Sequence, residues 1–216
     1  KEIPESKLNG PANDGEEQEW RLLALERATG KILWNTFATK TVPKVKRHTK
    51  ASHCNSTPAT DGRHIVAIFG SEGLFCFDTD GKLIWKKDLG PIDSGFYASP
   101  TAQWGFASSP IIHDGKVIVL CDVQKGSFLA AFEIRDGREV WRTPRKDVPT
   151  WGSPALVQTK ARIQIVANGW RETAGYDFTT GAKLWTLEGG GDIPVPTPIF
   201  AHGFIYLTSA HGKWRP

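Results

Sequence analysis

Methionine is absent from the sequence, and cysteine occurs three times, at Cys54, Cys76 and Cys121. Scattered, odd in number and without a CxxC pair, these thiols exclude a zinc knuckle and a thioredoxin-like redox site. Cys76 in "LFCFD" and Cys121 in "VIVLCD" stand in strand-like runs, where a free thiol acts as a small hydrophobe. No apolar run approaches bilayer length, so no membrane span is predicted. Neither charge dominates: 27 basic and 23 acidic residues leave a net +4. With no helix-turn-helix pattern and no basic motif interleaved with aromatics, a nucleic-acid partner is not expected. The densest basic stretch, "TKTVPKVKRHTK" (39–50), reads as a solvated connection rather than an anion-binding surface. GxSxG, HExxH and Walker motifs are missing as well.

What the chain has instead is a repeat. "LLALERATGKILW" (22–34), "LFCFDTDGKLIW" (74–85), "LAAFEIRDGREVW" (129–141) and "TAGYDFTTGAKLW" (173–185) each place tryptophan four residues after a turn glycine. The pairs are Gly30 and Trp34, Gly81 and Trp85, Gly137 and Trp141, Gly181 and Trp185. A second landmark reads "STPAT", "SSPII", "GSPAL" and "PTPIF", around Pro58, Pro110, Pro154 and Pro198. The proline spacings of 52, 44 and 44 residues fall in the range of propeller blades.

Within a unit the pattern belongs to strands. "RHIVAIF", "GKVIVLC", "ARIQIVA" and "GFIYLTS" are β-branched and aromatic runs bounded by turn residues. Asp-Gly at 61–62 and 114–115 predicts a tight hairpin turn, and the glycine of the tryptophan motif predicts another. Each unit therefore reads as a four-stranded antiparallel meander: proline strand, "VIV" strand, "CFD" strand, tryptophan strand. Such a sheet cannot bury both faces alone, and radial stacking of copies gives an all-β propeller. The tryptophans would fill the wedge between blades, with Ala24, Ala130 and Ala174 suited to accept the rings.

"ALERATGKILW" and "GYDFTTGAKLW" resemble the tryptophan-docking motif of the pyrroloquinoline-quinone (PQQ) repeat propellers. That superfamily includes quinoprotein alcohol dehydrogenases and the propeller lipoprotein of the bacterial outer-membrane β-barrel assembly machinery. The resemblance covers residues 20 to 210 and is most similar to bacterial PQQ-binding-like β-propeller repeat proteins. It implies a seven- or eight-bladed ring, of which this chain would be an arc of about four blades. The expected organisation is a disordered or linker-like segment at 1–19 and a partial propeller at 20–216. A half blade is expected at 20–38, full blades at about 55–90, 107–146 and 151–189, and a half blade at 196–210. The rival is a closed four-bladed ring in which 20–38 pairs with 196–210. Opening on Lys1 within a repeat, with no visible signal peptide, the chain is expected to have its true start upstream.

Function is expected on the face where two sets of loops meet. One set, preceding the proline strands, carries His53, Asn55, Trp104, Trp151 and Asp192. The other, between second and third strands, carries Ser71 and Glu72, then Asp122, Gln124 and Lys125, then Asn168, Trp170 and Arg171, then His211. Aromatics beside convergent polar groups suit recognition of a protein or an extended ligand. His48, His53 and Cys54 fit no common metal spacing. "GGGDIPVP" (189–196) is followed by no helix and reads as a flexible loop.

The resemblance brings an alternative. Quinoprotein dehydrogenases need a calcium ligand set, a catalytic aspartate and commonly adjacent cysteines, and no stretch here matches these. Bound PQQ, metal and catalytic residues are therefore not expected within this chain. The expected role is a non-catalytic binding or scaffold module of a bacterial periplasmic or otherwise extracytoplasmic protein. The alternatives are part of a PQQ-dependent oxidoreductase whose catalytic residues lie elsewhere, and a sensor domain fused to a kinase or other module.

Overall fold

The computed structural model describes residues 14–97, 99–191 and 193–208, with the backbone alone at 99–102. The described residues are almost entirely strands and turns, with one short 3-10 turn at Gly70–Glu72. β1 (Gln18–Leu25) and β2 (Ile32–Thr41) form a two-stranded sheet. The first four-stranded sheet is β3 (Ala59–Thr60), β4 (His64–Ile68), β5 (Leu74–Asp78) and β6 (Leu83–Lys87). A hairpin follows, β7 (Gly95–Phe96) with β8 (Ser99–Gln103). The second four-stranded sheet is β9 (Ile111–His113), β10 (Lys116–Cys121), β11 (Phe128–Glu133) and β12 (Glu139–Pro144). The third is β13 (Ala155–Gln158), β14 (Ile163–Ala167), β15 (Glu172–Asp177) and β16 (Lys183–Glu188). β17 (Ile199–Ala201) and β18 (Phe204–Tyr206) close the series as a two-stranded sheet. Every pairing within these sheets is antiparallel and joins neighbours in sequence, so each unit is a blade-like meander.

Turn chemistry sets the hairpins. Asp114-Gly115 and His202-Gly203 join paired strands as two-residue loops with positive φ throughout (43° and 70°, 52° and 80°). This is the mirror-image turn whose twist matches the strands. The motif turn is closed in the same way in all four units. The main-chain carbonyl of Glu26, Asp78, Glu133 or Asp177 accepts from the glycine N–H, and the main-chain N–H of the same residue donates to the carbonyl of the residue after the glycine. One bulge recurs as well. Trp34, Trp85, Trp141 and Trp185 lie opposite Ala24, Cys76, Ala131 and Gly175, and each ladder skips one residue just before the tryptophan. The four indoles thus occupy equivalent strand positions.

Sheets stack face to face. The third strand of each complete unit points alternately to the two neighbours. Phe75 and Phe77 pack with Trp20, Leu22 and Trp34 of the first sheet. Ala130 and Phe132 pack with Trp85, Val66 and Cys76. Ala174 and Tyr176 pack with Trp141, Ile118 and Leu129. The indole N–H of the first three reaches the next sheet, from Trp34 to Thr79 O (3.0 Å), Trp85 to Ile134 O (2.7 Å) and Trp141 to Phe178 O (3.2 Å), whereas that of Trp185 bonds Gln164 Oε1 of its own sheet (2.7 Å). Each of the first three acceptors is the residue after the motif acid. The ring lies on the turn glycine of that sheet. A Cβ on Gly81, Gly137 or Gly181 would stand 2.9, 2.8 or 2.4 Å from Trp34, Trp85 or Trp141. Glycine is required there twice, for its positive φ and for the approach of the ring. The alanines expected to take the rings divide. Ala130 and Ala174 share the clusters that receive Trp85 and Trp141, whereas Ala24 lies opposite its own tryptophan. The direct seat is the glycine.

A second inter-sheet link runs along the innermost strands. The N–H of Thr57 donates to Ser109 Oγ, and that of Ser109 to Ser153 Oγ, both at 2.9 Å. The residues before Pro58, Pro110 and Pro154 thus tie three successive blades together. β1–β2 and β17–β18 stand as separate sheets, so the described residues form an open stack rather than a closed four-bladed ring. Of the segment expected to be linker, residues 1–13 lie outside the described ones. Asp14 is buried, and its carboxylate holds Arg47 (3.2 Å) and His53 (3.0 Å), which anchors the chain before β1.

Candidate functional site

In an antiparallel meander, the link from one sheet to the next and the loop between second and third strands lie at the same end. At that end sits a feature the repeat does not contain. The connection 91–106 folds into the β7–β8 hairpin and lies across the neighbouring loops. Ser71 Oγ accepts the N–H of Ile92 (2.7 Å). The Gln124 N–H donates to Asp93 O (2.9 Å), and its amide to Gly95 O (2.7 Å). Gln103 Nε2 closes the hairpin on Asp93 (3.0 Å).

The hairpin completes a chain of aromatic rings. Trp170 meets Tyr97 at 5.0 Å, Tyr97 meets Phe96 at 4.9 Å, Phe96 stacks on Trp104 at 5.0 Å, and Trp104 meets Trp151 at 5.0 Å. These are offset or edge-on separations at which aromatic pairs attract. Trp151 is buried and donates its indole N–H to Gly105 O (3.0 Å), fixing one end. Phe96, Tyr97, Trp104 and Trp170 remain half-buried. At the other end the guanidinium of exposed Arg171 lies 5.9 Å from the Trp170 ring. The result is a continuous, partly wet aromatic ridge with a cation at its tip, drawn from three connections.

Three of the expected site residues, Trp104, Trp151 and Trp170, are brought together here with Arg171. Lys125 is exposed on the adjacent loop. Gln124 is spent on holding the hairpin. His53 is paired with Asp14 and lies 5.7 Å from the Trp20 ring. Asn55 reaches Phe106 O (3.4 Å), and Glu72 accepts the Lys44 N–H (3.0 Å). A cavity of about 20 Å³ beside His53, Ser71 and Glu72 has room for a water and little more. Asn168 is buried, bonded to Thr173 Oγ1 (3.0 Å) and Pro196 O (3.5 Å), so it braces a loop. Asp192 and His211 lie outside the described residues. The glycine-rich loop is pinned rather than loose. The Gly189 N–H bonds Arg171 O (2.9 Å), and a Cβ on Gly190 would stand 1.9 Å from Gly169 O.

Asp122, expected on the binding face, is a buried structural residue. Its two oxygens take Arg145 Nε (2.7 Å) and Nη2 (3.0 Å), and Thr150 Oγ1 adds a third bond at 2.8 Å. Arg145 also contacts Asp147 Oδ2 (3.3 Å) and the Tyr176 hydroxyl (2.6 Å), with all three charged side chains fully buried. A guanidinium removed from water needs this full set of partners. One cation between two acids leaves Asp147 the weaker partner. Burial and the Asp122 charge push its carboxyl up from the usual range, against the pull of Arg145. The two carboxylates converge on Arg145, not on an open position, so this donor set does not fit a metal ion. Among the described residues, no cluster of three or more His, Cys, Asp or Glu side chains is placed to hold one. His48 Nδ1 accepts the Lys50 N–H (3.0 Å) and Cys54 is an exposed free thiol. Burial pushes the Cys76 thiol up to about 12, which makes it inert. No helix among the described residues is long and apolar enough to cross a membrane.

The basic stretch 39–50 is partly neutralised in place, since Lys40 pairs with Glu17 (3.0 Å), Lys44 with Asp88 (3.5 Å) and Arg47 with Asp14 (3.2 Å). The residues sequence reasoning missed are Phe96 and Tyr97 in the ridge and Arg145, Asp147 and Tyr176 in the buried cluster. The signal for the first pair is the extra eight residues between Pro58 and Pro110 relative to the other spacings, which mark an insertion rich in aromatics.

A sequence model described as outer membrane protein assembly factor BamB matches residues 18–212. The chain is 25% identical to a polyvinylalcohol dehydrogenase from Pseudomonas sp, over 88% of this chain and 35% of that one. Among solved structures it is similar to BamB from Moraxella catarrhalis, with 20% identity and a TM-score of 0.58 over 93% of this chain and 57% of that one. It is also similar to the quinohemoprotein alcohol dehydrogenase from Comamonas testosteroni, with 14% identity and a TM-score of 0.51 over 92% of this chain and 38% of that one. These structural likenesses carry the fold, a β-propeller of four-stranded antiparallel blades. The chain spans between roughly a third and three fifths of the length of these relatives. The sequence match runs from the start of β1 past β18 and so takes in every strand described: the chain belongs to the PQQ-repeat β-propeller family described as outer membrane protein assembly factor BamB.

Proposed function

We propose that this chain is a binding module whose aromatic ridge recognises an extended segment of a partner protein outside the cytoplasm. The observation that carries the reading is the run of four half-buried rings, Phe96, Tyr97, Trp104 and Trp170, with Arg171 at its tip. Core packing alone would bury such rings. Left partly wet on one face, aromatics and arginine are the residue types that dominate protein recognition. The polar groups nearby are committed to holding loops, which leaves the ridge a contact surface rather than a reaction centre. The extracytoplasmic setting and the protein partner rest on the family description, an outer membrane assembly factor.

Panning a random peptide library on the purified chain tests this reading. Peptides enriched on the parent should lose at least tenfold in affinity on Trp170→Ala and Tyr97→Ala, and bind Lys82→Ala unchanged. Peptides that bind all four proteins equally would overturn it.

A second reading is favoured by the 25% identity to a polyvinylalcohol dehydrogenase. In that reading the chain is part of a quinoprotein-type oxidoreductase whose catalytic groups lie in other blades. Stoichiometric retention of pyrroloquinoline quinone after desalting in the presence of calcium, read by absorbance, would promote it over the binding module.

A further inference from the structure

The loop that carries the tip of the ridge is held more tightly than a surface turn requires. Arg171 donates its backbone N–H to Asp147 Oδ1 (3.2 Å) and accepts the Gly189 N–H on its carbonyl (2.9 Å). Asp147 is itself fixed by the Val148 N–H (2.9 Å) and by buried Arg145 (3.3 Å). Gly169 leaves no room for a side chain, since a Cβ there would strike the Asp147 carboxylate. The backbone of Arg171 is thus pinned from two directions. Its side chain is exposed, lies along the Trp170 ring, and makes no hydrogen bond or ion pair among the described residues. A guanidinium on a fixed stem, with its donors unused, is ready to hold a carboxylate by two parallel bonds.

Beside it opens a groove of about 370 Å³, lined by Lys146, Arg171, Glu172, Thr186 and Glu188. Lys146 follows β12 and the other four belong to the third four-stranded sheet or its loop, so both walls are complete blades. Lys146 is exposed and has no ion pair among the described residues, whereas Glu172 is neutralised by Lys183. Glu188 is exposed as well, which leaves two cations facing one free acid. Next to the hairpin, exposed Lys125 adds a third cation without a partner among the described residues. The acids around the ridge are already committed. Asp93 takes the Gly95 N–H (3.1 Å) and Gln103 (3.0 Å), and Asp122 and Asp147 face buried Arg145. The motif turns at the opposite end of the blades show no such excess, with exposed Asp80 near Lys82 and Asp136 between Arg135 and Arg138.

Resting on the ridge reading, we infer that the partner segment is acidic and sets a carboxylate in this groove, between Arg171 and Lys146. The residues next to that carboxylate cross the rings. From Trp170 to Trp104 the centroids step by 5.0, 4.9 and 5.0 Å, a path of at most about 15 Å that an extended chain covers in about four or five residues. The recognised segment is therefore a short apolar or aromatic run with Asp or Glu at one end. Glu188 opposes entry of the carboxylate, so the pairing with Arg171 and Lys146 has to outweigh it. Lys125 contributes attraction at longer range, which salt screens.

The peptides enriched from a random library on the 216-residue chain are the probe. They should carry Asp or Glu within about five residues of an apolar or aromatic run. Replacing that acid by Asn or Gln should weaken binding to the parent by about fivefold or more. On a chain with both Arg171→Gln and Lys146→Gln, the same replacement should change affinity by less than about twofold, because the acid has lost its partners. Both side chains are exposed, so this double variant should keep the strand content of the parent by circular dichroism. Enrichment of neutral or basic peptides that still depend on Trp170 and Tyr97 would overturn the acidic partner and leave the ridge reading standing. An acid whose replacement costs the same on parent and double variant would do likewise. Peptides indifferent to Trp170→Ala and Tyr97→Ala would overturn the ridge reading and this inference with it.

Discussion

Trp85 donates its indole N–H to the carbonyl of Ile134, 2.7 Å away across the gap between two blades. One contact therefore does two jobs: the ring fills the wedge against Gly137, and the N–H satisfies a carbonyl in the turn that glycine makes. A buried indole without a partner would cost about 1–3 kcal/mol, so the hydrogen bond fixes which way the ring points. Trp34 and Trp141 repeat the arrangement on Thr79 and Phe178, whereas Trp185 rests on its own blade, against Gly175 and Gln164.

Gly137→Ala and Gly30→Ala should separate the two demands on the turn glycine. Both positions have positive φ, 70° and 74°, so alanine costs each about 1–2 kcal/mol in backbone strain. Only at Gly137 does the new methyl meet an indole, which should add about 1–3 kcal/mol of overpacking. Urea unfolding of the two variants checks this; equal losses would show that the ring imposes nothing on the glycine.

Trp85→Ala should cost about 3–5 kcal/mol, the range for truncating a large buried aromatic. Trp185→Ala should cost less, about 1 kcal/mol, since its ring is half-buried and, among the described residues, lies over its own sheet. Midpoint shifts in chemical denaturation measure the contrast.

Arg145→Leu should destabilise the protein by about 3–5 kcal/mol, because it strands Asp122 and Asp147 as buried charges. Asp147→Asn should behave differently with pH. The carboxyl of Asp147 is raised in the folded state, so the folded protein holds that proton more tightly than the unfolded chain. Its stabilising contribution is complete below about pH 4 and is lost as pH rises through the folded value. The variant should therefore gain on the parent between pH 4 and pH 7 in paired unfolding curves. A constant difference would mean that Asp147 titrates normally.

Asp61 carries the opposite sign. Partial burial works against its charge, but the His64 ring and the N–H groups of His64 and Arg63 outweigh that and bring its carboxyl down to about 2. Its contribution is present above the unfolded value near 4 and disappears as pH falls through about 2. Asp61→Asn should be less stable than the parent at pH 6, with the gap narrowing between about pH 4 and pH 2. Carboxyl chemical shifts followed by NMR give the folded value independently.

The repeat, its turns and the equivalence of the four tryptophans were legible in the sequence because they arise from short-range rules. A glycine at positive φ, an acid closing the turn and an alternating β-branched run act within a dozen residues, so they leave a periodic trace. The insertion at 91–106 was legible only as eight surplus residues; that it would fold as a hairpin and set Phe96 and Tyr97 between Trp104 and Trp170 was not.

Asp122 shows where tertiary structure decided. In the sequence it sits on a loop beside Gln124 and Lys125 and reads as a ligand-facing acid. Stacking two blades places Arg145, Asp147, Thr150 and Tyr176 around it and removes water from all of them. The same stacking moved the tryptophan seat from the alanines to the glycine of the next turn. The sequence by itself determined the strands, the blades and the residues that recur. Which side chains meet across a blade boundary depended on stacking, because each sheet's own hydrogen bonds run along it and say nothing about what its faces will touch.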